Sequence, residues 1–570
     1  MRIVRRPLVT PTLTGLHPVL ARVYAARNIG GADELQHDLT SLLPPQLKGI
    51  DAAVELLIEA LAARWHIAIV ADFDADGATS CALVVRALRA MGAAQVSYLV
   101  PNRFEFGYGL TPAIVDVAAR LKPQLLITVD NGIASVEGVA HARTLGLRVL
   151  ITDHHLPGKV LPAADAIVNP NQTGCDFPSK HLAGVGVAFY LMVALRTQLR
   201  ARSWFNGARP EPTLAALLDL IALGTIADVV RLDRNNRVLV AQGLARINAG
   251  RACAGIKALL EVAGRVTGRV TAADLAFCAA PRLNAAGRLE DMRLGIDCLL
   301  ADDIDAARRA AMQLDALNRE RREIEAEMQA QADAALAGLR LNGAALPRGL
   351  ALFDERWHQG VIGILAGRVR EVHHRPVIAF APAGDALLKG SARSIPSVHI
   401  RDVLDAVATK HPGLIDKFGG HAQAAGLSLA RENFAAFAHA FDVEVTHWLN
   451  GAALDGEIET DGALAPAELC LATAEALDAA GPWGQGFPEP CFDGEFTVLD
   501  RRVVGERHVK FVLRGDDART TFEAMAFRAA PLPGWRECAR LEAAYRLAVN
   551  EYQGLRSLNL ILQHWRPLVA

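Results

Sequence analysis

Between about residues 65 and 170, four short apolar runs, "HIAIVAD", "AQVSYLV", "QLLITVD" and "LRVLITD", alternate with amphipathic segments such as "TPAIVDVAARL" and "ASVEGVAHARTLG". The runs are brief, rich in β-branched residues and end abruptly, as buried strands do. The segments between them repeat apolar residues at helical spacing. That alternation predicts an α/β fold built on a mainly parallel sheet wrapped by helices. Open sheets of this kind collect ligands beyond the carboxyl ends of their strands. Three of the four runs finish there on polar chemistry: Asp72, Asp74 and Asp76 after the first, Asp130-Asn131-Gly132 after the third, and Asp153-His154-His155 after the fourth.

The stretch "ADFDADG" opens like a calcium-binding EF-hand loop, with aspartates at alternate positions and a closing Asp-Gly. Such a loop needs a bidentate Glu at its twelfth position, and counting from Asp72 that position is Leu83, inside "CALVVRAL". The EF-hand is excluded. The carboxylates sit instead where a strand hands over to the helical stretch "GATSCALVVRALRAMG". Each piece alone has a plain structural reading. Asp-Asn-Gly favours turns, and a His-His pair such as His373-His374 is ordinary surface. Asp-x-Asp after a strand also resembles the nucleophile of haloacid-dehalogenase-type phosphatases. Their joint occurrence at three strand ends points to metal. Carboxylates with imidazoles suit hard or borderline divalent ions, and two such ions side by side activate water and stabilise a leaving oxygen at phosphorus.

Residues 180–300 read as mostly helical, and no Pro or Gly interrupts Asp302 to Ala337. A charged helix of that length predicts a rod joining domains. A second α/β pattern follows to about residue 450. The last 110 residues change to short alternating runs, "GEFTVLD", "RHVKFVLR", "TTFEAMAF" and "SLNLILQHW", which predict a small β-barrel. There Arg501, Arg502, Arg507 and Lys510, taken as alternating strand positions, would present a basic nucleic-acid-binding face, with Trp483 or Phe487 stacking on bases. A net charge of −2 over 570 residues gives no global positive field, so a polyanionic partner needs such a local surface. Eight single cysteines without a CxxC suit inert thiols in a reducing cytoplasm. No run of 18 apolar residues exists, and the N-terminal "MRIVRRPLVTPTLTG" lacks an apolar core segment. Neither a membrane span nor a signal peptide is expected.

In order along the chain, "DFDADG", "VDNG", "TDHH" and "GTIADVV" resemble the four motifs of the DHH phosphoesterase family, and the second α/β segment with "GGHAQAAG" resembles its companion DHHA1 domain. Further segments, "PNRFEFGYGLT", "APRLNAAGRLED", "WHQGVIGILAGR", "GSARSIPSVHIRD" and "GPWGQGFPEPCF", narrow the resemblance to the bacterial single-strand-specific exonucleases of that family. The resemblance covers nearly the whole chain. It implies an N-terminal arm over residues 1–45, a parallel-sheet DHH domain over 46–300 and a long connecting helix over 301–340. A smaller α/β DHHA1 domain over 341–452 and an OB-like barrel over 453–570 would follow.

The same resemblance implies two divalent metal ions, Mn2+ or Mg2+. Asp74 and Asp76 would bind one each, Asp130 would bridge both, and His154 with Asp228 would complete the second site. His155 would face the scissile phosphate. Many members have a histidine four residues before the Asp-x-Asp, where this chain has Val70. Asp72 is the substitute ligand, and which of Asp72, Asp74 and Asp76 hold metal stays open. Asp153 would orient an imidazole or cap a turn. Arg103, Asn284, Arg288, Arg393 and His421 are implied as phosphate contacts, since guanidinium forks hold phosphates bidentately and glycines let backbone approach a ligand closely.

The implied activity is hydrolysis of single-stranded DNA, 5′ to 3′, to 5′-mononucleotides, in DNA repair and recombination. Water, not a side chain, would be the nucleophile. Two other readings share the metal motifs. A short-oligonucleotide or cyclic-dinucleotide phosphodiesterase would have no use for the terminal barrel, and a non-catalytic DNA-binding scaffold would have lost metal ligands. The rod further predicts a passage between the two α/β domains that admits one strand and excludes a duplex. A single-stranded-DNA-binding protein and a RecQ-type helicase are the protein partners that the resemblance implies.

Overall fold

A computed structural model describes residues 1–7, 13–102, 105–341, 346–451, 454–515, 520–530, 532 and 534–568. The chain forms two compact units: Ile3–Asp315 with Ile458–Ala570, and Met1–Arg2 with Ala316–Glu457. After β1 (Arg2–Arg5), α1 (Pro18–Ala25) and α2 (Ile50–Ala62), the larger unit runs β2 (His66–Ala71), α3 (Ala75–Ala90), β3 (Gln95–Leu99) and α4 (Pro112–Ala119). It continues through β4 (Leu125–Val129), α5 (Val136–Thr144), β5 (Arg148–Thr152) and β6 (Ala166–Val168). The five strands lie in the order β3-β2-β4-β5-β6 with every pairing parallel. All six residues of β2 are buried, so both of its faces are covered and its sequence carries no polar alternation. From β2 the chain crosses to β3 on one side and returns through β4 on the other. The strand order therefore reverses between β2 and β4, and the crevice outside their carboxyl ends is where such folds bind ligands.

Helices complete this domain: α6 (Gly184–Ala201), α7 (Leu218–Ala227), α8 (Arg234–Asn248), α9 (Ala254–Val262), α10 (Ala272–Asp274), α11 (Ala280–Leu289) and α12 (Arg293–Leu300). α3 is buried almost throughout, and its small residues allow close packing. Gly224 of α7 sits so near that a Cβ there would lie 2.2 Å from Thr79 Oγ1 and 2.9 Å from Asp76 Oδ1, at the start of α3. Leu217 and Asp219, where α7 begins, share a cavity wall with Arg86 and Ala90, where α3 ends. The two helices run antiparallel.

The uninterrupted stretch after residue 302 forms α13 (Ile304–Leu341), 38 residues long. The smaller unit then contains β7 (Leu350–Phe353), α14 (Ile362–His373), β8 (Val377–Pro382), β9 (Leu387–Arg393), α15 (Ile400–Lys410), β10 (Lys417–Gly420), β11 (Ala424–Ala430) and α16 (Phe434–Leu449). Its sheet order is β10-β11-β9-β8-β7, and only β7 and β8 pair in parallel. Phe380, Phe437 and Phe441 fill its core.

After β12 (Glu457–Thr460) and α17 (Leu471–Ala479), the chain closes a barrel in the order β13-β14-β15-β17-β16. Its strands are β13 (Phe492–Val504), β14 (His508–Arg514), β15 (Thr521–Ala526), β16 (Arg540–Tyr552) and β17 (Leu555–Pro567). Gln553 and Gly554, both at positive φ, turn the β16–β17 hairpin with the hand its twist requires. α1 is built into this barrel, since Val19 and Val23 share its core with Phe492, Phe511 and Tyr545. Arg27 adds an ion pair to the buried Asp461 at 2.8 Å. Among the described residues no helix is long and apolar enough to cross a membrane.

Candidate active site

Three strand ends deliver the site. Past β2, Asp72 accepts the Phe73 N–H at 2.7 Å, and Asp74 caps α3 by accepting the Gly77 N–H at 3.0 Å. Residue 77 has to be glycine, because a Cβ there would lie 2.5 Å from the Asp72 carbonyl oxygen. Asp76 is 1% exposed and accepts the N–H groups of Gly184 (2.6 Å) and Val185 (3.0 Å), the first amides of α6, which have no partner within their own helix. Past β4, Asp130 adopts left-handed backbone at φ +63°, which Asp tolerates better than most residues. The fully buried Asn131 donates its carboxamide N–H groups to the carbonyls of Val70 (3.1 Å) and Val129 (2.9 Å), tying the ends of β2 and β4 together. Past β5, Asp153 accepts from the N–H of Ile133 (2.9 Å), the N–H of His154 (2.7 Å) and His155 Nδ1 (2.8 Å). Asp228 caps the C-terminus of α7, and Val229 after it sits at φ +59°, a strained conformation for a β-branched residue.

The side chains converge. His154 Nε2 lies 3.1 Å from Asp130 Oδ1 and 3.4 Å from Asp228 Oδ2. Three triplets of donor atoms each fall within 4.8 Å of one another: Asp72 with Asp74 and Asp130, Asp76 with His154 and Asp228, and Asp130 with His154 and His155. Asp130 belongs to two triplets, and its two carboxylate oxygens suit a ligand shared by adjoining ions, whereas the single lone pair of His154 Nε2 serves one ion. Asp72 therefore joins the cluster, while Val70, at the position of the absent histidine, is wholly buried in β2.

Burial, then repulsion from neighbouring aspartates, pushes the carboxyls of Asp72, Asp130 and Asp228 well above the ordinary range. The same causes bring Asp76 to about 7. Asp130 Oδ1 and Asp228 Oδ2 are buried and accept no hydrogen bond. A cluster of buried carboxylates is costly unless cations share it. The donor set is one that Mn2+ or Mg2+ takes, and it fits either ion. Asp153 behaves oppositely: burial alone would raise it, but the His155 hydrogen bond and charge and the Ile133 N–H outweigh burial and hold it low. Burial likewise works against His155, yet Asp153 lifts it to about 9.

The remaining expected contacts fall in different places. Asn284 Oδ1 accepts the Ala75 N–H at 2.8 Å, so its carboxamide oxygen holds the turn between Asp74 and Asp76. Arg288 lies half-buried in the last turn of α11, and Arg103 lies outside the described residues. Arg393 and His421 belong to the smaller unit. Arg393 closes β9 and donates to Ser391 Oγ (3.2 Å) and the Ala392 carbonyl (2.8 Å); His421 is exposed just after β10.

The barrel corrects two expectations. Arg501 and Arg502 are consecutive in β13 and so face opposite sides, and Arg501 donates to the carbonyls of Trp535 and Cys538. Lys510 is paired with Glu523 at 2.6 Å, which leaves Arg502 and Arg507 as the exposed cations of the four. Trp483 and Phe487 do not form a surface for bases. They stack on each other at 5.1 Å, Phe487 is 3% exposed, the Trp483 indole N–H donates to the Leu477 carbonyl, and Arg27 and Arg237 lie against their rings. One residue at the site was passed over. The Tyr108 hydroxyl lies 3.2 Å from His155 Nδ1, and its ring stands edge-on to both Phe73 and His155. Its setting between two glycines in "FGYGLT" was the available signal.

Parallel sheet, reversal-point crevice and carboxylate–imidazole cluster together define a protein of the DHH class. Family models agree: the DHH family N-terminal domain matches residues 66–225, the DHHA1 domain 346–446 and the RecJ OB domain 460–564. The single-stranded-DNA-specific exonuclease RecJ of Escherichia coli K12 is 53% identical, covering 97% of this chain and 96% of its own. That of Haemophilus influenzae is 51% identical over 99% of both. The crystal structure of Thermus thermophilus RecJ with Mn2+ superposes at a TM-score of 0.81 and 30% identity, covering 100% of this chain and 80% of that one. Its Mg2+ complex gives 0.76 at 29% identity over 100% and 78%. The chain belongs to the RecJ family.

Proposed function

We propose that this protein is a Mn2+- or Mg2+-dependent exonuclease that hydrolyses single-stranded DNA from the 5′ end to 5′-mononucleotides, in DNA repair and recombination. The observation that carries it is a carboxylate–imidazole cluster gathered at three adjoining strand ends and the end of α7, in a chain 53% identical over almost its whole length to single-stranded-DNA-specific exonucleases. Retention of these donors disfavours a non-catalytic scaffold. The barrel, which a dinucleotide hydrolase would not need, disfavours the short-substrate reading.

Asp74, Asp76, Asp130, His154 and Asp228, with Asp72 in place of the absent histidine, would hold two divalent ions. Bound there, such ions supply an activated water and neutralise charge developing on the phosphate. The chain's own groups do the rest. Asn131 and the left-handed turn fix Asp130, and the α6 amides fix both oxygens of Asp76. Asp153 takes the Nδ1 hydrogen bond of His155, holding the ring cationic and leaving Nε2 to donate to a phosphate oxygen. Arg103, Asn284, Arg288, Arg393 and His421 would orient the phosphates of the strand, and the exposed Arg502 and Arg507 would track its backbone along the barrel. A single-stranded-DNA-binding protein and a RecQ-type helicase are the proposed partners, in the cytoplasm.

The test uses the full chain with Mn2+ and single-stranded DNA labelled at either end, beside a blunt duplex, a dinucleotide and pyrophosphate. Immediate release of labelled mononucleotide from the 5′ end, with the duplex intact, is the expected result. Release from the 3′ end would reverse the polarity. Cleavage confined to the dinucleotide or pyrophosphate, or tight single-strand binding without hydrolysis, would refute the reading.

A further inference from the structure

α3 and α7 carry proposed metal ligands at one end of their antiparallel pair, Asp74 and Asp76 where α3 starts and Asp228 where α7 stops. At the opposite end of the same pair lies a cavity of about 430 Å³. Its polar wall comes from Arg86 near the end of α3, Asp219 in the first turn of α7, Arg246 near the end of α8, and Arg251 and Cys253 ahead of α9. The rest, largely the 212–217 turn, is mostly apolar. Three guanidiniums thus face one carboxylate.

The three arginines are held differently. Arg86 is anchored by Asp302 Oδ1 at 2.8 Å and by the carbonyls of Leu299 and Ala301, which fixes its charge beside the cavity. Arg246 has its Nε buried without a hydrogen bond, and the Asp219 Oδ1 that faces it stands 3.9 Å away. Asp219 is restrained from closing that gap because its other oxygen accepts the Cys253 N–H at 2.6 Å. Arg251 is exposed and makes no ion pair among the described residues. The negative end of the α8 dipole accounts for a cation at this place. It does not account for a buried guanidinium nitrogen left without an acceptor, a state that costs free energy until an oxyanion arrives.

We infer that this cavity is a binding site for a phosphomonoester. The guanidinium forks of Arg246 and Arg251 suit a dianion. The apolar turn suits its organic part, and the volume falls within the roughly 300–1,000 Å³ of small-molecule sites. The site as such is independent of the nuclease reading. Only the natural ligand rests on it, because a 5′-mononucleotide, the product of that reaction, belongs to this chemical class.

The test is calorimetric titration of the full chain, metal-free in EDTA, with deoxycytidine 5′-monophosphate, inorganic phosphate and deoxycytidine. Binding of the monophosphate, weaker binding of phosphate and none of the nucleoside is the expected order. Phosphate binding as tightly as the nucleotide would remove the organic part from the assignment and overturn the phosphomonoester. Arg246→Gln with Arg251→Gln should weaken nucleotide binding about tenfold or more. Ala90→Trp, on the exposed end of α3, should block the cavity without removing an arginine, and stands in if the double variant fails to fold. Equal isotherms for wild type and Ala90→Trp would overturn the site and put the ligand elsewhere on the chain. Intact binding in a chain that hydrolyses no DNA would support the site while counting against the proposed function.

Discussion

Replacing Gly184 with alanine adds one methyl group to the pocket and no charge. The residue opens α6, and its Cβ would lie 2.6 Å from both the Cβ and Oδ1 of Asp130, some 0.8 Å short of the 3.4 Å at which ordinary contact begins. Asp130 has little room to yield, because its backbone is set at φ +63° and Asn131 ties the adjoining strand ends. Either Asp130 or the start of α6 must therefore shift by roughly 1 Å, and a misplacement of that order costs about 10²-fold in rate. That corresponds to about 2.7 kcal/mol of barrier. Folding should lose only part of the roughly 1–3 kcal/mol that such overpacking costs. The amide that binds Asp76 is retained, and alanine is favoured over glycine within a helix by about 0.5–1 kcal/mol. Initial rates on 5′-labelled single-stranded DNA, Mn2+ affinity by electron paramagnetic resonance, and the unfolding midpoint separate these effects. The expected outcome is a hundredfold slower enzyme with weakened Mn2+ binding and a midpoint within a few degrees of wild type. Wild-type rate and affinity would refute the view that Asp130 is clamped, and a collapsed midpoint would trace the loss to folding instead.

Asp130→Ala should abolish hydrolysis, raising the barrier by about 4 kcal/mol or more since the shared ligand is gone; turnover near normal would overturn the site assignment. Asp153→Asn removes the anion that holds His155 near 9, so the ring should lose its proton at lower pH and the alkaline limb of kcat/KM should move down; an unmoved limb in Mn2+ would mean Asp153 does not set that charge. Asp76 is raised to about 7, so the metal-free fold favours its protonated form. In EDTA, stability should fall as pH rises through about 7, and Mn2+ should suppress the fall and release protons on binding, as titration in two buffers of different ionisation enthalpy would detect. On the barrel, Arg502→Ala should weaken single-strand binding and lower its salt slope by about one. Arg501→Gln should instead lower the unfolding midpoint, because that guanidinium holds the Trp535 and Cys538 carbonyls.

The strand ends were legible because a strand buried on both faces leaves an unbroken apolar run, so that Asp72, Asp130 and Asp153 stand out where the runs stop. Their convergence follows from strand order, since β2, β4 and β5 are neighbours and their carboxyl ends adjoin. Shorter or non-local features left no such trace. β6 has three residues, too few to show a period. The antiparallel pairings of the second sheet cannot be told from parallel ones by composition. Whether Trp483 and Phe487 face solvent depends on Tyr24, more than 450 residues earlier in the chain, which packs against both rings. On the barrel, the misreading counted two consecutive arginines as sharing a face. Gly184 reads as an ordinary glycine opening a helix until Asp130 is seen across from it.

The position of α1 has a consequence for synthesis. Val19 and Val23 belong to the barrel core, and Arg27 reaches its partner Asp461 across 434 residues of sequence. At about 5–20 residues per second, a ribosome needs roughly 20 to 90 s between making the two. Throughout that interval the apolar face of α1 is without its core, and the parallel-sheet domain is made in full, through α12 at Leu300, before the barrel strands follow. α1 is thus made long before it can dock, and the nascent chain carries an exposed adhesive segment until the barrel strands β13–β17 have been made.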